Sequence, residues 1–294
     1  MRSWLSSPAL LAPDGRVLSW LSDDKTGYPY DEASILLARL YHWLGWSERA
    51  QTILDPLLGR LHSINTLERD GVQYVFDTAL ALPLLSNPRP VAHYVLGELQ
   101  SHRACRPVKR PGWWSQSFGA HLIKCAGPLS QLGMGLDVRP IVDELVDGCF
   151  DGARFRIHAD SQATYVHSHC YALEGLLLCG YHPNIVRTGA DWLVGIQDNT
   201  GALPAWVNSE EPNRWPADIV AQGIRIWTLL DHRRYADAIQ RGLRFLAERQ
   251  DPESGGIAYG SNLEHWNVWS TIFAYQACAW VHSKPSRDQG RWLI

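Results

Sequence analysis

Buried and amphipathic helical segments alternate along nearly the whole of this 294-residue chain. Six apolar segments are predicted to begin near positions 30, 76, 115, 165, 217 and 266, and a charged amphipathic segment follows most of them. The interval of roughly 40 to 50 residues fits one helical hairpin with its loop. This alternation predicts an all-α fold, an (α/α)6 toroid in which six parallel inner helices are shielded by outer ones. We expect a single catalytic domain over residues 1–294, with short strand excursions at the mouth where the inner helices begin.

The segment from Tyr165 to Leu178 shows the pattern of an inner helix most clearly, because it begins with polar side chains and ends with leucines. A helix buried on all sides with functional groups at its N-terminal end has this pattern. Pro83 and Pro128 fall inside two other inner segments and are expected to end or kink them. The short stretch 3–11 is the candidate for the last outer helix.

Composition excludes several classes of function. The charged fraction is 19% and the net charge is −3, so no basic surface indicates nucleic acid binding. No apolar run is long enough to predict a membrane span. The six cysteines form no CxxC pair, and no convincing signal peptide opens the chain, so a reduced cytoplasmic setting is expected. Nucleophile elbows, phosphate loops and dinucleotide fingerprints are absent from the sequence, and we expect no cofactor.

If all inner helices run in one direction, their N-termini share one mouth. Unpaired N–H groups and helix dipoles then favour anionic or hydroxyl-rich ligands there. Tryptophan and tyrosine faces stack on sugar rings, while amides and carboxylates bind hydroxyls. The side chains predicted to bind substrate at this mouth are Tyr30, Glu32, Asp77, Trp113, Trp114, Gln116, His121, His169, Gln222, His265, Trp266, Asn267 and Trp269.

Two sets of side chains at i, i+4 and i+7 are the candidate catalytic groups, since this spacing puts three residues on one helical face. The first is His167, Tyr171 and Glu174, and the alternative reading is a buried hydrogen-bond network.

The second set contains Asp218 and Arg225, with Gln222 between them. Here an arginine could clamp a substrate carboxylate, or simply brace the aspartate. His167 and His169 point to opposite sides of a helix, so we expect no metal site, although a metal near His167 and Cys170 stays open.

Two repeat ends carry a further resemblance. Trp192 precedes Gln197-Asp198 and Gly201, and Phe245 precedes Gln250-Asp251 and Gly255. These ends and the hairpin period resemble the α/α-toroid proteins: the six-hairpin glycosidases, the sugar epimerases and the glucuronyl C5-epimerase catalytic domain, with terpenoid cyclases and prenyltransferases as cousins. The resemblance implies architecture. The DxDD acid motif of squalene-type cyclases is missing, and no family's catalytic residues carry over one by one.

The mixture of groups predicts a carbohydrate-active enzyme that uses acid/base catalysis, an epimerase or lyase acting on an acidic sugar. The first alternative is a glycoside hydrolase, with two carboxylates drawn from Glu32, Asp77, Glu174 and Asp218. A terpenoid-type cyclase and a non-catalytic glycan-binding toroid are the others. A sugar or glycan is the expected small-molecule partner, and the oligomeric state is left open.

Overall fold

A computed structural model of the chain describes residues 1–260, 265–283 and 285. Helices dominate these residues, and the strands are only two or three residues long. The α-helices are α1 (Arg2–Leu5), α2 (Asp31–Trp43), α3 (Ser47–Ile64), α4 (Val75–Ala81), α5 (Arg89–Gln100), α6 (Ile123–Gln131), α7 (Arg139–Cys149), α8 (Val166–Cys179), α9 (Pro183–Ile196), α10 (Ala217–Asp231), α11 (Ala236–Ala247) and α12 (Val268–His282). The strands are β1 (Trp20–Leu21), β2 (Leu67–Arg69), β3 (Val72–Tyr74), β4 (Cys105–Arg106), β5 (Thr164–Tyr165), β6 (Trp206–Val207) and β7 (Trp266–Asn267).

The even-numbered helices α2 to α12, here called the core helices, bury most of their side chains, whereas helices such as α5, α7 and α11 bury one stripe. The chain divides into two compact units. Unit 1 comprises Met1–Ile53 and Ala190–Ile294, and unit 2 comprises Leu54–Gly189. The single domain expected over residues 1–294 stays a prediction.

Unit 1 contains three core helices. Helix α10 packs against α11 and α12, and α12 packs against α2. Helix α2 is buried from Asp31 to Tyr41, and even the long side chain of Arg39 is enclosed. Burial of all faces explains why these segments lack a polar stripe in the sequence.

Unit 2 contains the other three core helices, of which α4 packs against α5 and α6, and α6 against α8. Helices α6 and α8 approach closely at two glycines. A Cβ atom at Gly175 would lie 2.3 Å from the carbonyl oxygen of Ile123, and one at Gly127 would lie 2.6 Å from Leu178 Cδ1. The absence of side chains therefore sets the distance between these helices.

The predicted boundaries differ most before α6. A helix was expected from about residue 115, but two 3-10 turns, Trp114–Gln116 and Ala120–Leu122, precede Ile123. At Gly119 the backbone passes so near Ile157 that a Cβ atom would lie 2.1 Å from its carbonyl oxygen. The prolines act as expected: α4 ends before a 3-10 turn containing Pro83, and α6 ends three residues after Pro128. The stretch 3–11 forms only the end of α1 and a 3-10 turn.

Four core helices share a hydrogen-bonded brace at the fourth residue after the N-cap. In unit 1, Ser34 Oγ accepts from the Val17 N–H at 2.9 Å, and Thr271 Oγ1 accepts from the Ile257 N–H at 2.9 Å. In unit 2, Thr78 Oγ1 accepts from the Leu67 N–H at 2.9 Å, and His169 Nδ1 accepts from the Phe155 N–H at 3.1 Å. Each brace fixes a loop or strand residue that precedes the helix to its first turn. His169, which the sequence predicts to bind substrate, uses its Nδ1 atom for this contact with the backbone.

Candidate active site

The second residue after the N-cap, position N2, is the place where each core helix presents a large side chain near its end. The N-cap residues are Tyr30, Tyr74, Gly119, Tyr165, Pro216 and Asn267, where Gly119 caps the 3-10 turn that leads into α6. The N2 residues are therefore Glu32, Asp218 and Trp269 in unit 1, and Phe76, His121 and His167 in unit 2. Five of these six were predicted site residues. At α4 the equivalent residue is Phe76, and the predicted Asp77 follows it.

In unit 1 the N-termini of the three core helices are tied together by backbone hydrogen bonds. Residues 17–19 join α2 to α12, because the Tyr30 N–H donates to Val17 O at 2.9 Å and the Val268 N–H to Ser19 O at 3.1 Å. Residues 257–259 join α12 to α10, because the Asn267 N–H donates to Ile257 O at 2.8 Å and the Ala217 N–H to Tyr259 O at 2.8 Å. These bonds place the three N2 positions of unit 1 at one end of the unit.

Two of those N2 residues are carboxylates, Glu32 and Asp218. Their exposed fractions are 8% and 5%. Burial raises the pKa of Asp218 to about 7, and the negative charge of Glu32 adds to the rise. The Ile219 N–H donates to Asp218 Oδ1 at 2.9 Å and opposes the rise. Asp218 is therefore an acid that can hold or release a proton near neutral pH.

Several aromatic rings lie at the same end of unit 1 as this carboxylate pair. Tyr30 meets Trp269 edge-on with ring centroids 5.1 Å apart, and Tyr28 lies 5.7 Å from Tyr30. His265 contacts the ring of Trp20 at 4.7 Å. These contacts bring the predicted residues Tyr30, His265 and Trp269 to the same end of unit 1 as the carboxylates.

The other predicted residues of β7 and α12 have structural contacts. Trp266 pairs with Leu21 in the two-stranded ladder of β1 and β7. Asn267 caps α12, since its Oδ1 accepts from the Ser270 N–H at 3.0 Å. This cap commits the Asn267 carbonyl group to its own helix.

Gln222 and Arg225 lie deeper in α10 than Asp218, and both are completely buried. The Arg225 Nη1 group donates to Gln276 Oε1 at 3.0 Å, and its guanidinium carbon lies 4.0 Å from the centre of the Phe273 ring. Of the predicted set on this face, Asp218 is thus the member nearest the helix end.

In unit 2 the predicted set His167, Tyr171 and Glu174 lies along α8, with His167 nearest the start of the helix. The rings of His167 and Tyr171 meet at 4.3 Å. Glu174 lies farther down, where its Oε2 atom accepts from Lys124 Nζ at 2.7 Å and both side chains are fully buried. The sequence reasoning missed Lys124, and the available signal was a single cation inside the apolar segment 120–126.

His121 is a buried, neutral imidazole. Burial lowers its pKa to about 3, and within the described residues neither ring nitrogen has a hydrogen-bond partner. Its ring lies 5.4 Å from that of Trp114 and 5.7 Å from that of Phe76. Burial also lowers the pKa of His169 to about 4. Both predicted binding residues therefore stay uncharged at neutral pH.

The loop before α6 holds three predicted residues. Trp114 contacts the ring of His121, and the other two lie in different environments. Trp113 is 47% exposed and carries the guanidinium of Arg110 at 4.9 Å from its ring centre. Gln116 is buried, and its side chain fastens the loop: Oε1 accepts from the Lys109 and Arg110 N–H groups at 3.0 Å each, while Nε2 donates to Tyr74 Oη at 3.0 Å. Gln116 thus positions this loop against β3.

The remaining predicted carboxylate, Asp77, lies in the first turn of α4, where its Oδ2 atom is 4.0 Å from Arg69 Nη1. Among the described residues, no group of three or more histidine, cysteine, aspartate or glutamate side chains is arranged to hold a metal ion. None of the helices in the described part of the chain has the length and apolar character needed to cross a membrane.

Comparisons with known proteins give the fold. No family model matches the chain, and no curated protein sequence matches it. A solved glycosidase variant superposes with a TM-score of 0.66 at 12% identity, covering 97% of this chain and 96% of that one. An α-amylase from Clostridium perfringens gives 0.64 at 11% identity over 92% and 93% of the two chains. The ent-copalyl diphosphate synthase from Streptomyces platensis gives 0.58 at 16% identity over 85% of this chain and 49% of that one.

These likenesses, together with the predominance of helices among the described residues, confirm the predicted fold class. The chain has the α/α-toroid fold that glycosidases and a terpene cyclase also use. At such low identity the likeness extends to the fold alone.

Proposed function

We propose that this chain is a carbohydrate-active enzyme that hydrolyses glycosidic bonds, with Asp218 as the general acid and Glu32 as the second carboxylate. The observation that carries the proposal is the placement of two nearly buried carboxylates, Glu32 and Asp218, at the N2 positions of α2 and α10 at the same end of unit 1. Burial also raises the pKa of Asp218 to about 7. A pair of carboxyl groups in different protonation states is what glycoside hydrolysis requires.

In this proposal, protonated Asp218 donates its proton to the glycosidic oxygen as the bond to the anomeric carbon breaks. Ionised Glu32 acts at the anomeric carbon, either by accepting a proton from the attacking water or by attacking as a nucleophile. Water supplies the hydroxyl group of one product and the proton that restores Asp218. The anomeric configuration of the first product, read by NMR, distinguishes the two roles of Glu32.

The comparisons support sugar chemistry, because a glycosidase variant and an α-amylase share the fold over more than nine-tenths of this chain. The cyclase alternative has a structural neighbour as well. However, protonation of a carbon–carbon double bond needs a far stronger acid than a carboxyl group with a pKa of about 7. The pKa of Asp218 therefore favours a sugar substrate over a terpenoid substrate.

The epimerase or lyase prediction relied on a mixture of arginine, tyrosine, histidine and glutamate side chains, and the contacts of two of them do not favour it. Glu174 is bonded to Lys124 in a fully buried ion pair. Arg225, the predicted clamp for an acidic sugar, is completely buried and donates to Gln276. Neither side chain is presented at the helix ends, so hydrolysis by Asp218 and Glu32 is our preferred proposal.

The test is a panel of aryl α- and β-glycosides and neutral oligosaccharides, assayed for released aglycone or reducing ends. We expect wild-type turnover whose kcat/KM falls above about pH 7, because the acid must be protonated. Asp218→Asn and Glu32→Gln should each lower kcat by roughly 10²- to 10⁴-fold on natural linkages. Asp237→Asn, which changes an exposed carboxylate of α11, is the control and should retain wild-type rates.

Two outcomes would contradict the proposal. Full activity of either folded variant, Asp218→Asn or Glu32→Gln, would show that the substituted residue is not catalytic. Exchange of a sugar C–H proton for deuterium without release of reducing ends would restore the epimerase prediction.

A further inference from the structure

A row of three aromatic rings leads from solvent to the carboxylate pair of unit 1. The row consists of Tyr28, Tyr30 and Trp269, with successive centroid distances of 5.7 and 5.1 Å. Tyr28 is 57% exposed, whereas Tyr30 and Trp269 are half-buried. Tyr30 caps α2 two residues before Glu32, and Trp269 is the N2 residue of α12. The row therefore ends at the helix termini that hold the proposed catalytic groups.

A second exposed aromatic side chain precedes the other carboxylate. Trp215 is 40% exposed and lies three residues before Asp218, as Tyr28 lies four residues before Glu32. Pro216, the N-cap of α10, restricts the backbone between Trp215 and the helix. Large aromatic side chains left open to water mark binding surfaces when they adjoin a polar site. Here one such side chain precedes each of the two carboxylates.

The charges near the row favour a neutral ligand. The guanidinium of Arg16 lies 3.8 Å from Asp31 and 2.7 Å from Asp14, so its positive charge is matched by carboxylates. Glu32, whose negative charge helps to raise the pKa of Asp218, adds negative charge where the scissile bond would lie. A uronic acid at that place would be repelled, whereas a neutral sugar stacks on the rings without a charge penalty.

We infer that the substrate is a chain of several neutral sugar residues, whose successive rings contact Tyr28, Tyr30 and Trp269 on the Glu32 side of the scissile bond. Trp215 supports a sugar on the Asp218 side. This inference rests on the proposed function, and it adds that binding energy is drawn from rings remote from the bond that breaks. Such an enzyme discriminates by chain length through kcat/KM.

The test measures kcat/KM for neutral oligosaccharides of two to six residues and for an aryl monoglycoside. We expect kcat/KM to rise at least 10-fold from the shortest to the longest chain. Tyr28→Ala should lower kcat/KM for the longest chain by roughly 3- to 10-fold, and lower it much less for the aryl monoglycoside. Tyr181→Ala, which removes an aromatic ring following α8 in unit 2, is the matched control and should keep the wild-type dependence on length.

A separate measurement of binding distinguishes this inference from the catalytic proposal. Calorimetry with Asp218→Asn and the same oligosaccharides should show a Kd that falls with chain length and rises when Tyr28→Ala is added. Such binding without any turnover by the wild type would keep the inference and overturn the proposed hydrolysis. Equal kcat/KM for every length, or a preference for uronic-acid chains, would overturn the inference while leaving hydrolysis intact.

Discussion

The two units each bury a carboxylate in a core helix, and they compensate it in different ways. In unit 2, Glu174 is bonded to Lys124 at 2.7 Å, and the pair is sealed between α6 and α8. In unit 1, Asp218 stays near the start of α10, and burial raises its pKa to about 7. A buried ion pair fixes the charge of both partners, whereas a desolvated acid near a second carboxylate can exchange its proton. Burial alone therefore does not distinguish a structural carboxylate from one that can exchange its proton.

The largest expected effect breaks the ion pair of unit 2. Lys124→Met should lower the free energy of unfolding by roughly 3–5 kcal/mol, because it leaves Glu174 charged in an apolar interior. Urea unfolding followed by circular dichroism measures this loss. The double variant Lys124→Met with Glu174→Met should recover most of the stability, since both charges are then gone. If Lys124→Met were as stable as the wild type, the attraction within the ion pair would not offset the free-energy cost of burying its two charges.

The next effect concerns pH in unit 1. The pKa of folded Asp218, about 7, exceeds its unfolded value near 3.8, so ionisation costs folding free energy. The cost is absent below about pH 4, grows between about pH 4 and 7, and is complete above pH 7. Asp218→Asn cannot ionise, so its stability relative to the wild type should increase by roughly 1–4 kcal/mol from pH 4 to pH 8.

Urea unfolding at pH 4 and pH 8 measures this change in stability. Asp237→Asn is the control, and its stability relative to the wild type should be the same at both pH values. A pH-independent difference for Asp218→Asn would show that the carboxyl group titrates normally.

A smaller effect should be common to both units. Thr271→Val in unit 1 and Thr78→Val in unit 2 each remove a hydroxyl that accepts a loop N–H and donates to the helix backbone. Each should cost roughly 1–2 kcal/mol, because a buried N–H loses its acceptor. Thermal unfolding of the two variants is the measurement. A large loss in one unit with none in the other would refute the idea of a shared brace.

The smallest effect is expected at the exposed loop of unit 2. Trp113→Ala should change the free energy of unfolding by less than about 0.5 kcal/mol, since the side chain is half open to water. Gln116→Ala removes the amide that fastens the same loop and should cost roughly 1–2 kcal/mol. Equal losses in the two variants would show that Trp113 packs more tightly than its exposure indicates.

Sequence patterns predicted much of the fold because buried helices and their amphipathic neighbours differ in periodicity. Helices α8 and α10 begin at Val166 and Ala217, within a residue of the predicted starts near 165 and 217. The prediction for the stretch before α6 was wrong, because the close approach of Gly119 to Ile157 joins residues that are far apart in sequence.

The candidate site was predicted less completely than the fold. Asp218 and Glu32 were found because they open buried helices. Lys124 was missed because its partner Glu174 lies fifty residues away, and a lone lysine carries no signal of pairing. The brace at His169 was missed for the same reason: its function depends on an N–H group of a preceding loop, which the pattern along one helix cannot reveal.

The spacing between the brace and position N2 has a practical consequence. In four helices the fourth residue after the N-cap attaches the framework, while the residue half a turn earlier has no part in that bond. The attachment of the helix and the proposed chemistry therefore use different residues of the same helical turn. Replacing Glu32, His167 or Trp269 removes none of the hydrogen bonds made by Ser34, His169 and Thr271, so a design can change the side chains at these helix ends and keep the attachment of each helix.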